Sequence, residues 1–169
     1  IGRAVAARAR GFGLRIIACD PYLSADVFSA LGVEPVDLEV LLRSADIVTL
    51  HTPLTRETCG LIRKETLRRM KATALLLNTS RGGVVNNEDL VEALREGCLA
   101  GAGLDVAEVE PLPRDHPLRG MPRVVLTPHA AWYSAEAEPD LRRRAARTVV
   151  QALRGEVPSA LLNPEVLKT

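Results

Sequence analysis

The 169-residue sequence predicts an α/β fold with a doubly wound parallel sheet. Short apolar runs alternate along the chain with segments of helical periodicity, and strands that are separated by helices form parallel sheets. The apolar runs are also continuous, without a polar residue at every second position, which predicts strands that are covered on both faces. In such a sheet, ligands bind outside the carboxyl ends of the strands, so the residues that follow each run are the candidates for function.

The first third of the chain is predicted to contain three helices and three strands. Gly11 and Gly13 stop the first helix, and Asp20 and Pro21 follow the first strand. The predicted helices are Ile1 to Ala9, Ala25 to Leu31 and Leu38 to Arg43; the predicted strands are Leu14 to Cys19, a short one at Val36, and Asp46 to His51.

The remaining two thirds continue the same alternation with longer connections. Loops are expected at residues 52–62 and at the proline-rich residues 110–122, while Gly97 and Gly155 end two of the helices. The predicted helices are Lys64 to Met70, Glu88 to Glu96 and Ala135 to Leu153; the predicted strands are Ala72 to Ser80, Ala100 to Val106 and Val124 to Leu126.

Composition and charge exclude several classes of protein. The chain is 47% hydrophobic and 25% charged, which suits a globular domain and neither a disordered nor a membrane protein. Its 22 basic and 21 acidic residues leave a net charge of +1, which gives no electrostatic surface for nucleic acid or anionic lipid. The densest basic cluster, residues 142–144 with Arg147, is interpreted as a solvated helix face.

The cysteines and the hydropathy predict a cytoplasmic protein without a metal site. Cys19, Cys59 and Cys98 are odd in number and widely spaced, and no C-x-x-C pair occurs, which indicates a reducing compartment. No apolar run reaches the roughly eighteen residues that a membrane span requires, and no signal peptide is expected.

The residues that follow the strands are polar or charged: Asp20, His51, Asn78 to Arg81, Asp105 and His129. Asp20 ends the second strand of what would be a nucleotide-binding βαβ unit. A carboxylate there accepts hydrogen bonds from an adenosine ribose and repels a 2′-phosphate, which favours NAD over NADP. The alternative is an ordinary turn acid ahead of Pro21, and the sequence leaves both interpretations open.

Two further residues are candidates for binding anionic groups. Gly2 is placed to be the last glycine of a G-x-G-x-x-G loop. Arg81 would project a planar, permanently charged fork over the sheet edge, suited to a carboxylate held by two hydrogen bonds. A surface arginine in an ordinary turn is the alternative.

An acid and a histidine stand after neighbouring strands. Asp105, Glu108 and Glu110 share one loop, and His129 lies nineteen residues after Glu110. A carboxylate that is hydrogen-bonded to an imidazole raises the imidazole pKa and selects its tautomer, which is how a general acid/base is adjusted to neutral pH. A buried histidine that is bonded to a neighbour without any catalytic role is the commoner alternative.

Five segments occur along the chain in this order: "CDPY", "DIVTLHTPLTRETCGLI", "LLNTSRGGVVN", "AGAGLDVAEVEP" and "LTPHAAW". Together they resemble the NAD-dependent D-2-hydroxyacid dehydrogenases, in the same order and over almost the whole chain. The carboxyl-terminal segments "PHAAWYS" and "ALRGEVPSALLNPEVL" look most like the C-terminal-binding protein branch, whose members act as NAD(H)-responsive transcriptional corepressors in animals.

The resemblance implies a role for each matched residue. Arg81 would bind the substrate carboxylate and keto group, and His129 would be the catalytic acid/base. Glu110 would pair with His129, and Glu108 is the less favoured candidate for that pairing. Trp132, with Arg81 and His129, would line the substrate pocket. The cofactor contacts would come from Gly2, Asp20, His51, Thr52, Pro53, Thr79, Ser80, Arg81, Asp105 and His129.

The resemblance also implies an organisation and an activity. Residues 1–155 would form a Rossmann-like NAD-binding domain that lacks its first strand and most of its glycine-rich loop, and residues 156–169 would return to a separate substrate domain. The expected activity is hydride transfer between NAD(H) and C2 of a small D-2-hydroxy or 2-keto acid, in a homodimer, with this chain inactive by itself. The alternatives are an NAD(H)-sensing binding protein of the corepressor type and a related domain whose site residues only resemble the pattern.

Overall fold

The computed structural model describes residues 1–168 and separates them into two compact units. The first unit runs from Ile1 to His129, and the second begins at Ala130. Compactness therefore divides the chain at a different position from the predicted domain boundary at residues 155 and 156, which stays a prediction. Within the described residues, no helix is long and apolar enough to cross a membrane.

The predicted helices and strands occur in the predicted order, and their bounds differ by a few residues. The strand before Asp20 is the shortest relative to its prediction, with only two residues. The elements are α1 (Gly2–Arg10), β1 (Ile17–Ala18), α2 (Ala25–Leu31), β2 (Glu34–Pro35), α3 (Leu38–Ser44), β3 (Ile47–Leu50), α4 (Lys64–Leu67), β4 (Leu75–Asn78), α5 (Asn87–Glu96), β5 (Gly101–Leu104), β6 (Val124–Leu126) and α6 (Ala137–Leu153), with short 3₁₀ turns at Gly82–Val84, Pro117–Gly120 and Pro164–Lys168.

Local chemistry sets several of the helix ends. The Asp37 carboxylate accepts a hydrogen bond from the Val40 N–H and begins α3, and the Asn86 side chain does the same for α5 through the Asp89 N–H. Gly97 ends α5 in the left-handed conformation, with φ of 75°. These caps fix where the chain leaves each helix and therefore where the next strand starts.

All strand pairs are parallel, as predicted, but they form two sheets. Strands β3, β4, β5 and β6 make a four-stranded sheet in that order, and β1 pairs with β2 in a separate two-stranded sheet. No ladder joins β1 to β3 within residues 1–168. The carboxyl ends of the four strands in the larger sheet lie at one edge, which places the residues that follow them together.

The larger sheet is packed on one face only, so the prediction that both faces are covered is wrong. On the packed face, Leu76 is fully buried against a core that includes residues of α3, α4 and α5. On the other face, Ile47, Leu75 and Val125 are 47%, 41% and 67% exposed. A continuous apolar run means that a strand can be buried on both faces of the sheet. Which face is actually buried depends on where the helices pack.

Candidate active site

The loop after β4 is folded by a buried asparagine. Asn78, fully buried, donates from its amide nitrogen to the Arg81 carbonyl at 3.0 Å, and its amide oxygen accepts from the backbone N–H and the hydroxyl of Ser80. These bonds curl the chain back just past the strand. The Arg81 side chain is exposed, and its guanidinium donates to the Ser80 carbonyl at 2.7 Å.

Asp105, the residue directly after β5, connects three neighbouring strand ends. Its N–H donates to the Asn78 carbonyl and its carbonyl accepts from the His129 N–H, both at 2.9 Å. The Thr127 hydroxyl donates to the Asp105 carboxylate, and Asp105 is 6% exposed. Asp105 thereby ties the loops that follow β4 and β6 to its own loop, so the three loops are held in a common frame.

His129 and Glu110 form a direct pair at this edge. Nδ1 of His129 lies 2.7 Å from Oε2 of Glu110, and Oε1 of Glu110 accepts from the Ala107 N–H at 3.0 Å. The bond to His129 and then the bond from Ala107 lower the pKa of Glu110, so the carboxylate stays ionised at neutral pH. An ionised carboxylate can only accept, so Nδ1 carries the hydrogen and Nε2 is the nitrogen left to exchange a proton.

The backbone of His129 is unusual for a residue with a side chain. Its φ is +54°, in the left-handed region, where His129 is alone among the non-glycine residues that the structure describes. This conformation costs free energy unless the surroundings impose it, and such positions concentrate at functional sites. Here the His129 N–H bond to Asp105 and the ring bond to Glu110 hold the residue from both ends.

The loops of Arg81 and Glu110 touch at Gly82. A Cβ atom placed on Gly82 would lie 1.8 Å from the Ala107 carbonyl oxygen, so only glycine allows the two backbones to approach this closely. The structure thus brings the Arg81 loop against the loop that carries Glu110. In the part of the chain described, no hydrogen bond joins the Arg81 guanidinium to Glu110 or His129.

Glu108, the second candidate for pairing with His129, is occupied elsewhere. Its Oε2 accepts from the N–H of Asn87 at 2.6 Å, at the start of α5. Two carboxylates that are two residues apart in one loop therefore point to different partners. Glu110 is the one that meets the imidazole.

The predicted cofactor residues Asp20 and His51 follow β1 and β3, whereas Gly2 lies at the start of α1. Asp20 is exposed, and its carboxylate accepts from the Tyr22 N–H at 3.0 Å, the bond of an ordinary turn acid. The His51 ring lies 3.2 Å from the Thr49 hydroxyl, and partial burial lowers the pKa of His51. A Cβ atom on Gly2 would meet the Cβ of His51 at 3.4 Å, an ordinary contact, so this neighbour does not require glycine there.

The Thr52 hydroxyl is the one buried side-chain polar atom without a hydrogen-bond partner in the described part of the chain. A buried hydroxyl without a partner costs free energy, so this atom is suited to a ligand that supplies the missing bond. The next residue, Pro53, gives its carbonyl to the Thr58 hydroxyl at 2.6 Å. Thr79 is exposed beside Ser80, whose hydroxyl serves Asn78.

Comparison with known proteins identifies the family. The family described as "D-isomer specific 2-hydroxyacid dehydrogenase, NAD binding domain" matches residues 1–131, which include the Glu110–His129 pair. The chain belongs to this family.

No group of three or more histidine, cysteine, aspartate or glutamate side chains among the described residues is arranged to hold a metal ion.

Relatives and solved structures of the D-2-hydroxyacid dehydrogenases cover nearly the whole chain. A glyoxylate reductase from Korarchaeum cryptofilum is 52% identical over 168 residues, which are 99% of this chain and 51% of that protein. An NAD-complexed D-isomer specific 2-hydroxyacid dehydrogenase from Lactobacillus delbrueckii ssp. bulgaricus is 32% identical with a TM-score of 0.83, over 96% of this chain and 53% of that one. The apo D-lactate dehydrogenase of Escherichia coli is 34% identical with a TM-score of 0.86, over 96% and 51%.

These similarities confirm the predicted Rossmann-like α/β fold and the family resemblance. The chain spans about half the length of the glyoxylate reductases that it matches. The names of these relatives support the dehydrogenase interpretation over the corepressor alternative, because none of the relatives described above is a corepressor.

The sequence pattern does not predict two of the residues that build this candidate site. The pattern places Asn78 among the polar residues after a strand, and the structure adds that its side chain shapes the Arg81 turn. No role is predicted for Gly82, whose lack of a side chain lets two loops meet. The signal for both was an asparagine at the end of an apolar run and a Gly-Gly pair directly after an arginine.

Trp132 belongs to the second compact unit and is described there by itself. It is 51% exposed, and its ring meets Tyr133 edge-to-face with centroids 5.6 Å apart and planes at 86°. Helix α6 of the same unit buries none of its residues. Its arginines at positions 142, 143 and 144 are well exposed and pair with Glu138 or Asp140 on the same helix. The assignment of Trp132 to the substrate pocket stays a prediction.

Proposed function

We propose that this chain serves as the NAD(H)-binding and proton-transferring part of an NAD-dependent D-2-hydroxyacid dehydrogenase. The observation that carries the proposal is the Glu110–His129 pair, 2.7 Å apart, at the carboxyl edge of a parallel sheet. Because several relatives are named glyoxylate reductase, glyoxylate is the first 2-keto acid to test. The overall reaction balances as 2-keto acid plus NADH plus a proton giving 2-hydroxy acid and NAD⁺.

His129 would act as the general acid during reduction. Its Nδ1 is committed to Glu110, so Nε2 delivers a proton to the C2 oxygen as the carbonyl becomes a hydroxyl. After this transfer, Nδ1 keeps its hydrogen because the Glu110 carboxylate continues to accept it. In the oxidation direction, the same Nε2 takes the hydroxyl proton.

Glu110 would hold the ring of His129 in place. The carboxylate is itself fixed by the Ala107 N–H, so the imidazole cannot turn without breaking its bond to a partner that is held on its other oxygen. Because an ionised carboxylate can only accept, Glu110 also determines that Nδ1 carries the hydrogen, which leaves Nε2 for proton exchange.

Arg81 would hold the substrate by its carboxylate. The side chain is exposed at the loop after β4, and the loop is rigid because Asn78 bonds to both Ser80 and the Arg81 carbonyl. A guanidinium binds a carboxylate with two parallel hydrogen bonds and thereby orients the neighbouring keto group. Its charge also stabilises the negative charge that grows on the C2 oxygen.

Several residues suit the binding of NAD(H). Asp20 offers a carboxylate to the ribose hydroxyls, and the buried Thr52 hydroxyl lacks a partner that a ligand could provide. The proposed contact set is completed by residues after the strands of the larger sheet and by Gly2 in α1: His51, Pro53, Thr79, Ser80, Arg81, Asp105, His129 and Gly2. When bound, NAD(H) supplies or accepts the hydride at C2 of the substrate.

The decisive experiment replaces His129 in the full-length protein. We expect His129→Ala to lower kcat for glyoxylate reduction by about a hundredfold or more, because proton transfer contributes roughly that factor. NADH affinity should fall much less than kcat, because the other proposed cofactor contacts remain. His116→Ala is the matched control, because His116 only caps a 3₁₀ turn through the Leu118 N–H. Turnover by His129→Ala equal to that of the His116 variant contradicts the proposal.

The oligomer, the location and the branch belong to the proposal as well. We propose a homodimer in the cytoplasm, which size-exclusion chromatography and fractionation test directly. The C-terminal-binding protein resemblance rests on the segment around Trp132 and on the carboxyl-terminal residues. If the full-length protein binds NADH but reduces none of a panel of 2-keto acids, an NAD(H)-sensing protein of the corepressor type is favoured over a dehydrogenase.

A further inference from the structure

Two loops must keep a fixed separation for the proposed reaction. Residues 79–86 carry Arg81, which binds the substrate, and residues 105–111 carry Glu110, which holds the acid/base His129. Their strands β4 and β5 are paired, with Asn78 opposite Leu104, so the loops leave the sheet side by side. Strand pairing sets their starting points, and additional contacts have to set the distance further out.

The first such contact is the backbone approach at Gly82. The Ala107 carbonyl oxygen occupies the space that a Cβ on Gly82 would need, and Glu108 N would lie 2.6 Å from that Cβ. This contact limits how close the loops come. It is a steric stop, and it does not by itself prevent the loops from separating.

The second contact supplies the attraction. Oε2 of Glu108 accepts from the Asn87 N–H at 2.6 Å, and the bond is partly buried. Asn87 is the first residue of α5 and directly follows residues 79–86, and its N–H has no partner inside the helix. A carboxylate on a helix amino terminus is further favoured by the helix dipole. Glu108 thus joins the middle of its own loop to the end of the Arg81 loop.

Both contacts converge on the segment that orients the acid/base. The Ala107 carbonyl contacts Gly82, and the Ala107 N–H donates to Oε1 of Glu110. The other carboxylate oxygen of Glu110 accepts from Nδ1 of His129. A displacement of residues 107 and 108 would therefore move the Glu110–His129 pair relative to Arg81.

We infer that Glu108 is a positioning residue for the reaction, which sets the distance between the substrate-binding Arg81 loop and the Glu110–His129 pair. The assigned role rests on the proposed function. Glu108 does not touch the substrate or the cofactor in this role; it acts through Asn87 and Ala107. A shift of about an ångström in a substrate-positioning group is enough to cost roughly a hundredfold in rate.

The test compares three variants of the full-length protein. Glu108→Ala removes the bond to Asn87, whereas Glu108→Gln keeps an oxygen that accepts from the same N–H. Glu88→Ala is the matched control: it removes an exposed carboxylate from the first turn of the same helix, and among the described residues Glu88 makes no hydrogen bond or ion pair with either loop. The measurements are kcat and KM for glyoxylate at saturating NADH, the NADH dissociation constant, and amide hydrogen exchange over residues 79–90, all well below the unfolding temperature.

We expect Glu108→Ala to lower kcat/KM by about 10- to 100-fold, with a raised KM for glyoxylate and a lowered kcat together, because both substrate grip and proton delivery lose alignment. The NADH dissociation constant should change much less than kcat/KM does, because the cofactor contacts proposed for Asp20 and Thr52 lie outside the two loops. Exchange over residues 79–90 should accelerate. Glu108→Gln should recover most of the loss, and Glu88→Ala should match the wild type.

Four results overturn the role of Glu108: wild-type kcat/KM in Glu108→Ala, an equal loss in Glu108→Gln, an equal loss in Glu88→Ala, or a loss confined to NADH affinity. These results require an active wild type. A wild type without turnover on any 2-keto acid overturns the proposed function itself, and the reaction role of Glu108 falls with it.

Discussion

The packed face and the carboxyl edge of the four-stranded sheet belong to the same strands but are stabilised by different interactions. On the face, Leu76 is fully buried among apolar neighbours, and stability there comes from apolar area and close packing. At the edge, two residues further along the same strand, Asn78 is equally buried but is satisfied by hydrogen bonds to the Arg81 loop. Folding stability and catalytic geometry are therefore assigned to different parts of one strand, and they should respond to different substitutions.

The largest expected effect breaks the packed face. Leu76→Ala should lower the free energy of unfolding by about 2–5 kcal/mol, because it opens a cavity in the core. Leu75→Ala, one residue earlier and 41% exposed on the other face, should cost about 1 kcal/mol or less. Denaturant unfolding of both variants measures the difference. Equal losses from the two substitutions would contradict the uneven cover of the sheet.

The next largest effect is expected from a substitution that disturbs the loops at the carboxyl edge and leaves the packed face intact. Gly82→Ala places a methyl group into the Ala107 carbonyl, and because that atom is backbone, the two loops must separate. We expect about a hundredfold lower kcat/KM for 2-keto acid reduction, with a smaller loss of stability than Leu76→Ala causes.

Gly83→Ala is the control for the Gly82 substitution. The added methyl group at that position meets only the side-chain tip of Leu54, at 3.1 Å, and a leucine side chain can adjust by rotation. Activity of Gly83→Ala should therefore stay near the wild type. If both glycine variants lost activity equally, the specific role of the Gly82 approach would be refuted.

The smallest expected effect is a pH dependence of stability at the carboxyl edge, caused by the Glu110–His129 pair. The bonds from His129 and Ala107 lower the folded-state pKa of Glu110 below its ordinary value of 4.5, so its ionisation stabilises the fold above that pH. This contribution is lost as pH falls through the lowered pKa. Glu110→Gln should therefore be less stable than the wild type at pH 7, with a gap that narrows below about pH 4.5. Melting temperatures from pH 3 to 7 test this, and a constant gap would speak against the ionised pair.

Much of this fold and site is present in local sequence patterns. Helical periodicity and apolar runs predicted six helices and six strands in the right order, and α2 and β6 match the prediction residue for residue. Gly32 and Gly97 show why: a glycine in the left-handed conformation ends a helix using only its own few neighbours. The same apolar runs locate the strand ends and therefore the polar residues that come directly after them.

The errors arose where distant parts of the chain meet. The continuous apolar runs predicted cover on both faces, but the exposure of Val125 and Ile47 depends on where helices from elsewhere in the chain pack. The predicted single sheet became two because strand pairing needs a neighbour at hydrogen-bond distance, which no run of residues encodes alone.

The sequence by itself determined the order of the elements, the parallel α/β class and the residue types at the carboxyl edge, because periodicity, capping and turn chemistry act over a few residues. Only the tertiary structure decided that Glu110 reaches the imidazole while Glu108 reaches the start of α5, and that Gly82 is the point where two loops touch. A carboxylate selects its partner by distance and direction within about 3 Å, and those are set by how separate strands and helices pack.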